Sequence, residues 1–172
     1  MVEDPAWLRA IVVPGQTAAD DAALMRLAIA VGLASIAHTT GGPFAALVTT
    51  ASRAVVAVAV NAVVPSHDPT AHAEVTAIRR AAAALQRPRL AAHTLITTCA
   101  PCVMCAGAVH WAGLSAVVAG ARTGDAEARG FVEGPVGFDV AAFLCARGVA
   151  YREDVEREGA VELLRRYDGP IY

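Results

Sequence analysis

No lysine occurs in this sequence. Its 14 positive charges are all arginines, set against 16 acidic residues, which leaves a formal charge of −2 and a pI near 6.2. That balance lacks the basic footprint with which proteins hold nucleic-acid phosphates. Charge of either sign is scarce, at 17% of residues, while 56% are hydrophobic. The core must therefore be large, or a second subunit must cover part of an apolar surface, and a homodimer is expected. No stretch approaches the roughly 20 apolar residues of a spanning helix. The uncharged run AVVAVAVNAVVPSH reads as a buried strand and a loop. The start, MVEDPAWLRAIVVPGQ, is acidic and its apolar part is too short for a signal peptide. The expected location is the cytoplasm. Repeats and low-complexity linkers are absent, and 172 residues suit one domain.

Hydrophobic periodicity and chain breakers give a coarse order of elements. A helix is predicted over residues 17–37, capped by Thr17 or Asp20. The glycines and proline of TTGGPF break the pattern, and FAALVTT and AVVAVAV read as a hairpin of buried strands. VVPSHDP is a loop, after which Asp68 or Thr70 caps a helix running to about Leu85. HTLITT and SAVVAGA are strands on either side of a helix from Pro101 to Gly113. A Gly-rich connection over residues 123–137 leads to a short helix near 140–146, a short strand near 149–151 and a helix over 154–166. Strands alternating with helices imply a parallel section covered on its faces. The predicted fold is α/β: a three-layer α/β/α sandwich on a five-stranded mixed sheet.

Four cysteines are present, and Cys99, Cys102 and Cys105 fall within seven residues. In a reducing compartment such crowding points to metal or catalysis rather than disulfides. A second unusual stretch is DPTAHAEVTAIRR, where His72 and Glu74 stand two apart at the start of a predicted helix. His72, Cys102 and Cys105 together offer one nitrogen and two sulfur donors, a set soft enough for zinc. Both fragments begin a helix, where the backbone dipole favours thiolate. Three protein ligands leave one tetrahedral position open, as a catalytic zinc requires. Glu74 is then placed to handle the proton of a water at that position without binding the metal. Two alternatives stay open. Cys99 as a fourth ligand would make a structural zinc site, and Cys-x-x-Cys alone would be a redox pair; both leave Glu74 without a task.

His-x-Glu followed 30 residues after the histidine by Pro-Cys-x-x-Cys resembles the cytidine deaminase-like superfamily of zinc-dependent deaminases, whose signature this is. GGPFAALV, DPTAHAEVTAIR, TTCAPCVMCAGAVHWAG and DAEARGF look like the corresponding stretches of bacterial guanine deaminases of that fold, over residues 41–131. The resemblance implies a hydrolytic deaminase of a free nucleobase or related amino-heterocycle, converting guanine to xanthine and ammonia. It implies one Zn2+ per chain and Glu74 as the proton-moving group. It also implies a substrate pocket formed by Asn61, Phe44, Ala73 and Trp111, with Asp125 (or its neighbours Glu127 and Glu133) as a second acid. The C-terminal segment, about 154–172, would cross to a partner subunit and cover its active site, with Tyr172 or Tyr167 at the pocket. Cytosine or an aminotriazine would use the same machinery. PCVMCAGA and HDPTAHAE also resemble the tRNA adenosine deaminases, although the low pI and missing lysines fit a small-molecule substrate better. A zinc-stabilised binding protein without turnover is the reading from outside enzymology.

Overall fold

A computed structural model describes residues 5–132 and 134–171. After helix α1 (Ala6–Ile11) comes the long helix α2 (Asp21–Ala37), then the hairpin β1 (Ala45–Thr50) and β2 (Val55–Val60). A one-turn helix α3 (Val63–Ser66) precedes α4 (Ala73–Ala84), β3 (His93–Cys99), α5 (Val103–Ala112) and β4 (Ala116–Ala121). The chain closes with α6 (Thr123–Glu127), α7 (Val140–Cys145), β5 (Ala150–Arg152) and α8 (Arg157–Arg165).

The five strands form one mixed sheet in the order β2-β1-β3-β4-β5, antiparallel from β2 to β3 and parallel from β3 to β5. A two-stranded hairpin needs only the short turn 51–54, whereas parallel neighbours need a crossover, which α5 supplies between β3 and β4. The inner strands β1 and β3 are buried nearly throughout, as strands covered on both faces must be. Helices α4, α5 and α7 contact one another in succession; α2 and α8 contact each other and the sheet, with α1 against α2. The predicted three-layer α/β/α sandwich on a five-stranded mixed sheet is the observed fold. Among the described residues no helix is long and apolar enough to cross a membrane.

Small residues set how closely the layers approach. A Cβ on Gly120 of β4 would lie 2.7 Å from Ala160 Cβ of α8 and 2.9 Å from the Thr98 carbonyl oxygen. On Gly32 of α2 it would lie 2.6 Å from Leu163 of α8. The abundance of alanine and glycine thus serves contact between α8, α2 and the sheet, and α8 is part of the folded layer: Ala160, Leu163 and Leu164 are buried.

Element boundaries differ from expectation for identifiable reasons. Helix α2 begins at Asp21, since Asp20 is the residue whose side chain accepts a hydrogen bond from the Ala23 N–H (2.7 Å), while Thr17 bridges to Ala54. Neither Asp68 nor Thr70 caps α4. Asp68 accepts from the Thr70 N–H and hydroxyl, both 2.7 Å, and so closes the preceding turn, leaving His72 at the cap with its side chain unused there. Pro101 stands one residue before the α5 cap, which is Cys102. The connection 123–137 contains α6, and VVPSHDP contains α3.

Replacing Gly120 by alanine should cost about 1–3 kcal/mol of stability through overpacking against backbone, measured as the change in urea-unfolding free energy. An unchanged midpoint would mean that α8 is free to shift.

Candidate active site

Four segments reach the same edge of the sheet. Phe44 immediately precedes β1, Asn61 follows β2, the segment Ala100–Cys102 follows β3, and α6 follows β4. Ligands of α/β folds collect in the crevice beyond such strand ends. Here a cavity of about 290 Å3 opens, lined among others by Phe44, Asn61, His72, Glu74, Cys102 and Phe131.

Two helix N-termini frame it. His72 and Cys102 hold the cap positions of α4 and α5, both with extended backbone (ψ 151° and 173°), and their carbonyls accept from Thr76 N–H and Ala106 N–H. Neither side chain caps its helix, so both are available to the cavity. Cys105, one turn along α5, is fully buried. His72 Nδ1 lies 3.7 Å from Cys102 Sγ and 3.5 Å from Cys105 Sγ, and the three donor atoms fall within 4.8 Å of one another. Tetrahedral zinc, with bonds of about 2.3 Å to sulfur and 2.0–2.1 Å to nitrogen, sets a sulfur–nitrogen separation of roughly 3.5 Å. The donor set and its spacing fit that ion. The Cys102 thiol is held down to about 4, chiefly by its hydrogen bond with Cys105 and further by His72, against the burial that opposes ionisation. A thiolate is the form a metal binds.

Beside this group stands Glu74, the second residue of α4 and only 6% exposed. Two aromatic rings line the same cavity: Phe44 and Phe131 meet edge to face with centroids 4.9 Å apart. Asn61, 1% exposed, is fixed by its backbone, which donates to the Phe44 carbonyl (2.9 Å) and accepts from the Gly42 N–H (3.1 Å). Its Oδ1 accepts from the Val63 N–H at 3.2 Å. A Cβ on Gly41 would fall 1.9 Å from the Asn61 carbonyl oxygen, so the first glycine of GGPF is what allows this strand end to close.

Residues 18–121 match the zinc-binding region of cytidine and deoxycytidylate deaminases. The chain belongs to that family. Guanine deaminase of Bacillus subtilis is 47% identical over 91 residues, 53% of this chain, and the chain spans 58% of that relative's length. A solved structure of guanine deaminase from Nitrosomonas europaea superimposes with a TM-score of 0.88 at 36% identity, covering 97% of this chain and 94% of that one. A solved structure in complex with 2,6-diaminopurine gives 0.90 at 38% identity, covering 100% and 95%. The family model is that of a zinc-binding region, and His72, Cys102 and Cys105 are a group whose donors could hold such an ion.

The remaining expectations separate sharply. Phe44, Asn61, His72, Glu74 and Cys102 line one cavity, and Cys105 completes the metal group behind it. Ala73 is buried at the start of α4 and is not part of the cavity wall. Trp111 is 79% exposed on the last turn of α5. Six residues beyond Cys105, it is turned about 120° round the helix from that residue, and it is not among the residues that line the cavity. Asp125 also lies outside it. Both of its oxygens accept from the Arg157 guanidinium (2.7 and 2.9 Å), one also accepts from the Arg122 N–H (2.9 Å), and the Arg157 contact holds its carboxyl below the usual range. Of its two neighbours, Glu127 lines the cavity, while Glu133 lies outside the described residues, as does Tyr172. Cys99 lines the cavity, yet its Sγ is directed to the Arg122 carbonyl (3.7 Å) and does not belong to the ligand group. The tail residues described here, 167–171, lie against their own chain: Tyr167 rests on Phe131 with centroids 6.0 Å apart. Phe131 and Phe138 are further wall residues; the only signal for Phe131 was the resemblance of DAEARGF to its relatives, which named no role for it, and Phe138 lies beyond that resemblance.

Substituting Cys102 or Cys105 by alanine should abolish zinc retention after dialysis, read by elemental analysis, while Cys99→Ala keeps it. Zinc loss in Cys99→Ala would establish a four-ligand structural site instead.

Proposed function

We propose that the protein is a hydrolytic deaminase of a free nucleobase, with guanine as substrate and xanthine and ammonia as products. The observation that carries this reading is the meeting of three elements in one cavity: the His72–Cys102–Cys105 group, the buried Glu74 carboxylate, and the wall made by Phe44, Phe131 and Asn61. The full-length overlap with the guanine deaminase of Nitrosomonas europaea supports the choice of ring. Purine-ligand binding by a near relative supports it too.

The residues divide the work. Bound zinc, one per chain, supplies a water polarised enough to ionise near pH 7 rather than ~16. Glu74 accepts one proton of that water and delivers it to the ring nitrogen beside the amine-bearing carbon; it then takes the second water proton, from the hydroxyl now on that carbon, and gives it to the amine, which leaves as ammonia. A C–O bond forms as the C–N bond breaks, and every proton on the ammonia beyond the original amine comes from the water. Burial of Glu74 keeps this transfer away from bulk solvent. The phenyl groups of Phe44 and Phe131, set nearly perpendicular to one another, offer an apolar wall on which a planar ring can pack, and the Asn61 amide offers hydrogen bonds to its edge. Glu127, at the cavity, is placed to serve as a second acid where Asp125 is not.

The same reading carries a homodimer in the cytoplasm that acts on a small molecule rather than on nucleic acid or a membrane. The exposed Val103 and Trp111 on the outer face of α5 support a subunit contact. A pI near 6.2 without lysine supports the small substrate.

The deciding measurement is ammonia release over guanine, adenine, cytosine, their nucleosides, aminotriazines and a tRNA anticodon stem. Guanine should be the fastest, and activity on the RNA alone would overturn the proposal. Glu74→Gln should keep its zinc yet lose about 10²–10⁴-fold in turnover; a variant as active as the parent would remove Glu74 from the mechanism.

A further inference from the structure

The C-terminal YDGPIY is left without a task by the chemistry above, and its contacts are specific. Three consecutive residues that end in the cavity wall each meet it. The Arg129 guanidinium donates to the Tyr167 carbonyl (3.2 Å). Gly130, at φ +92°, passes so close to the tail that a Cβ there would stand 3.1 Å from Ile171 Cδ1. The Phe131 ring receives the Tyr167 ring at 6.0 Å. Phe131 also meets Phe44 edge to face, and both phenylalanines line the cavity, so Tyr167 touches the cavity wall through one ring.

The tail is shaped to present that tyrosine. Its hydroxyl donates to the Pro170 carbonyl at 3.0 Å, which closes the Asp168-Gly169-Pro170 turn over the ring. A Cβ on Gly169 would lie 2.6 Å from the Tyr167 ring atoms. Only glycine lets the turn fold this tightly, and the turn in turn presses the ring toward Phe131.

We infer that Tyr167 is a positioning residue: the tail braces Phe131 from behind and thereby sets the aromatic wall against which the substrate ring lies. Tyr167 itself does not line the cavity; it acts through Phe131. The role belongs to substrate binding and not to proton transfer, because Glu74 and the metal group lie on the α4 and α5 side of the cavity. The brace should also favour planar purines over the smaller single-ring bases, which cover less of the wall. The substrate part of this inference rests on the function proposed above.

The experiment compares Tyr167→Ala, Tyr167→Phe and Gly169→Ala in the intact chain, with zinc content and unfolding midpoint recorded for each. Tyr167→Ala should raise KM for guanine about threefold to tenfold, the range of an aromatic pair contact, with kcat within about twofold. Tyr167→Phe keeps the ring but loses the hydroxyl bond to Pro170, and should raise KM by less than Tyr167→Ala. Gly169→Ala keeps every aromatic group but displaces the ring, and should raise KM as well. Hydrogen exchange of the 126–131 backbone should quicken in Tyr167→Ala and Gly169→Ala. Unchanged KM in both variants, or a loss confined to kcat, overturns the positioning role. If the parent protein deaminates no purine, the proposed function falls while exchange still judges the brace: unaltered protection of residues 129–131 overturns it.

Discussion

Two helix N-termini converge on one edge of the sheet, and the chemistry of the protein depends on that convergence. His72 and Cys102 are cap residues, with backbone turned out of the helix and side chains released from it. The convergence follows from topology. The crossover that makes β3 and β4 parallel must start a helix where β3 ends, and α4, entered from the end of β2, starts at the same edge because β2 runs parallel to β3 across the antiparallel β1. Partial positive charge at both helix starts favours thiolate over thiol. The hydrogen bonds among Cys102, Cys105 and His72 act in the same direction. Backbone geometry therefore helps bring the three donors to metal-ligand spacing.

That is also why the centre of the site was legible in the sequence and its periphery was not. His-x-Glu and Cys-x-x-Cys are separations within a single helical turn, so secondary structure alone fixes their relative placement. The layer architecture was equally readable, because strand alternation, Gly/Pro breaks and buried apolar runs are local signals. Trp111 illustrates the opposite case. It belongs to the same helix as the ligands, but six residues separate it from Cys105, and helical phase carries it to solvent. Phe131 reaches the cavity from beyond β4 through a turn at Gly130 with positive φ, and nothing in DAEARGF announces a ring that meets Phe44. Boundary differences at Asp20, His72 and Pro101 reflect competition among several residues able to cap or turn, which only the tertiary position of each side chain decides.

Asp125 shows how an acid can stand near a site in sequence and serve it from behind. Its carboxylate accepts the backbone N–H that opens α6 and both arms of the Arg157 fork. Arg157 also approaches Asp154, which takes two contacts from Arg122. Exposed ion pairs contribute little one at a time. This one differs in being bidentate and in closing a cap on a short helix that could not stand alone. By tying α6 to α8 it holds Thr123, Ala126 and Glu127 on the cavity. The low pKa of Asp125 follows from that commitment. The Arg157 contact that lowers its pKa is thus the same contact that fastens α6 to α8.

The same helix α8 closes the structural logic. Small residues let it sit close on the sheet and on α2, with Gly120 and Gly32 leaving no room for a side chain. Its first turn carries Arg157, the partner of α6, and its end releases the chain into Tyr167, the partner of Phe131. One helix thus holds two parts of the cavity wall, one through charge and one through an aromatic contact. The His72–Cys102–Cys105 group is held from elsewhere, by the caps of α4 and α5 that the crossover topology brings together. A change in α8 therefore reaches α6 and Phe131 first and the three donors only indirectly, so the two sets of cavity residues answer to different parts of the fold.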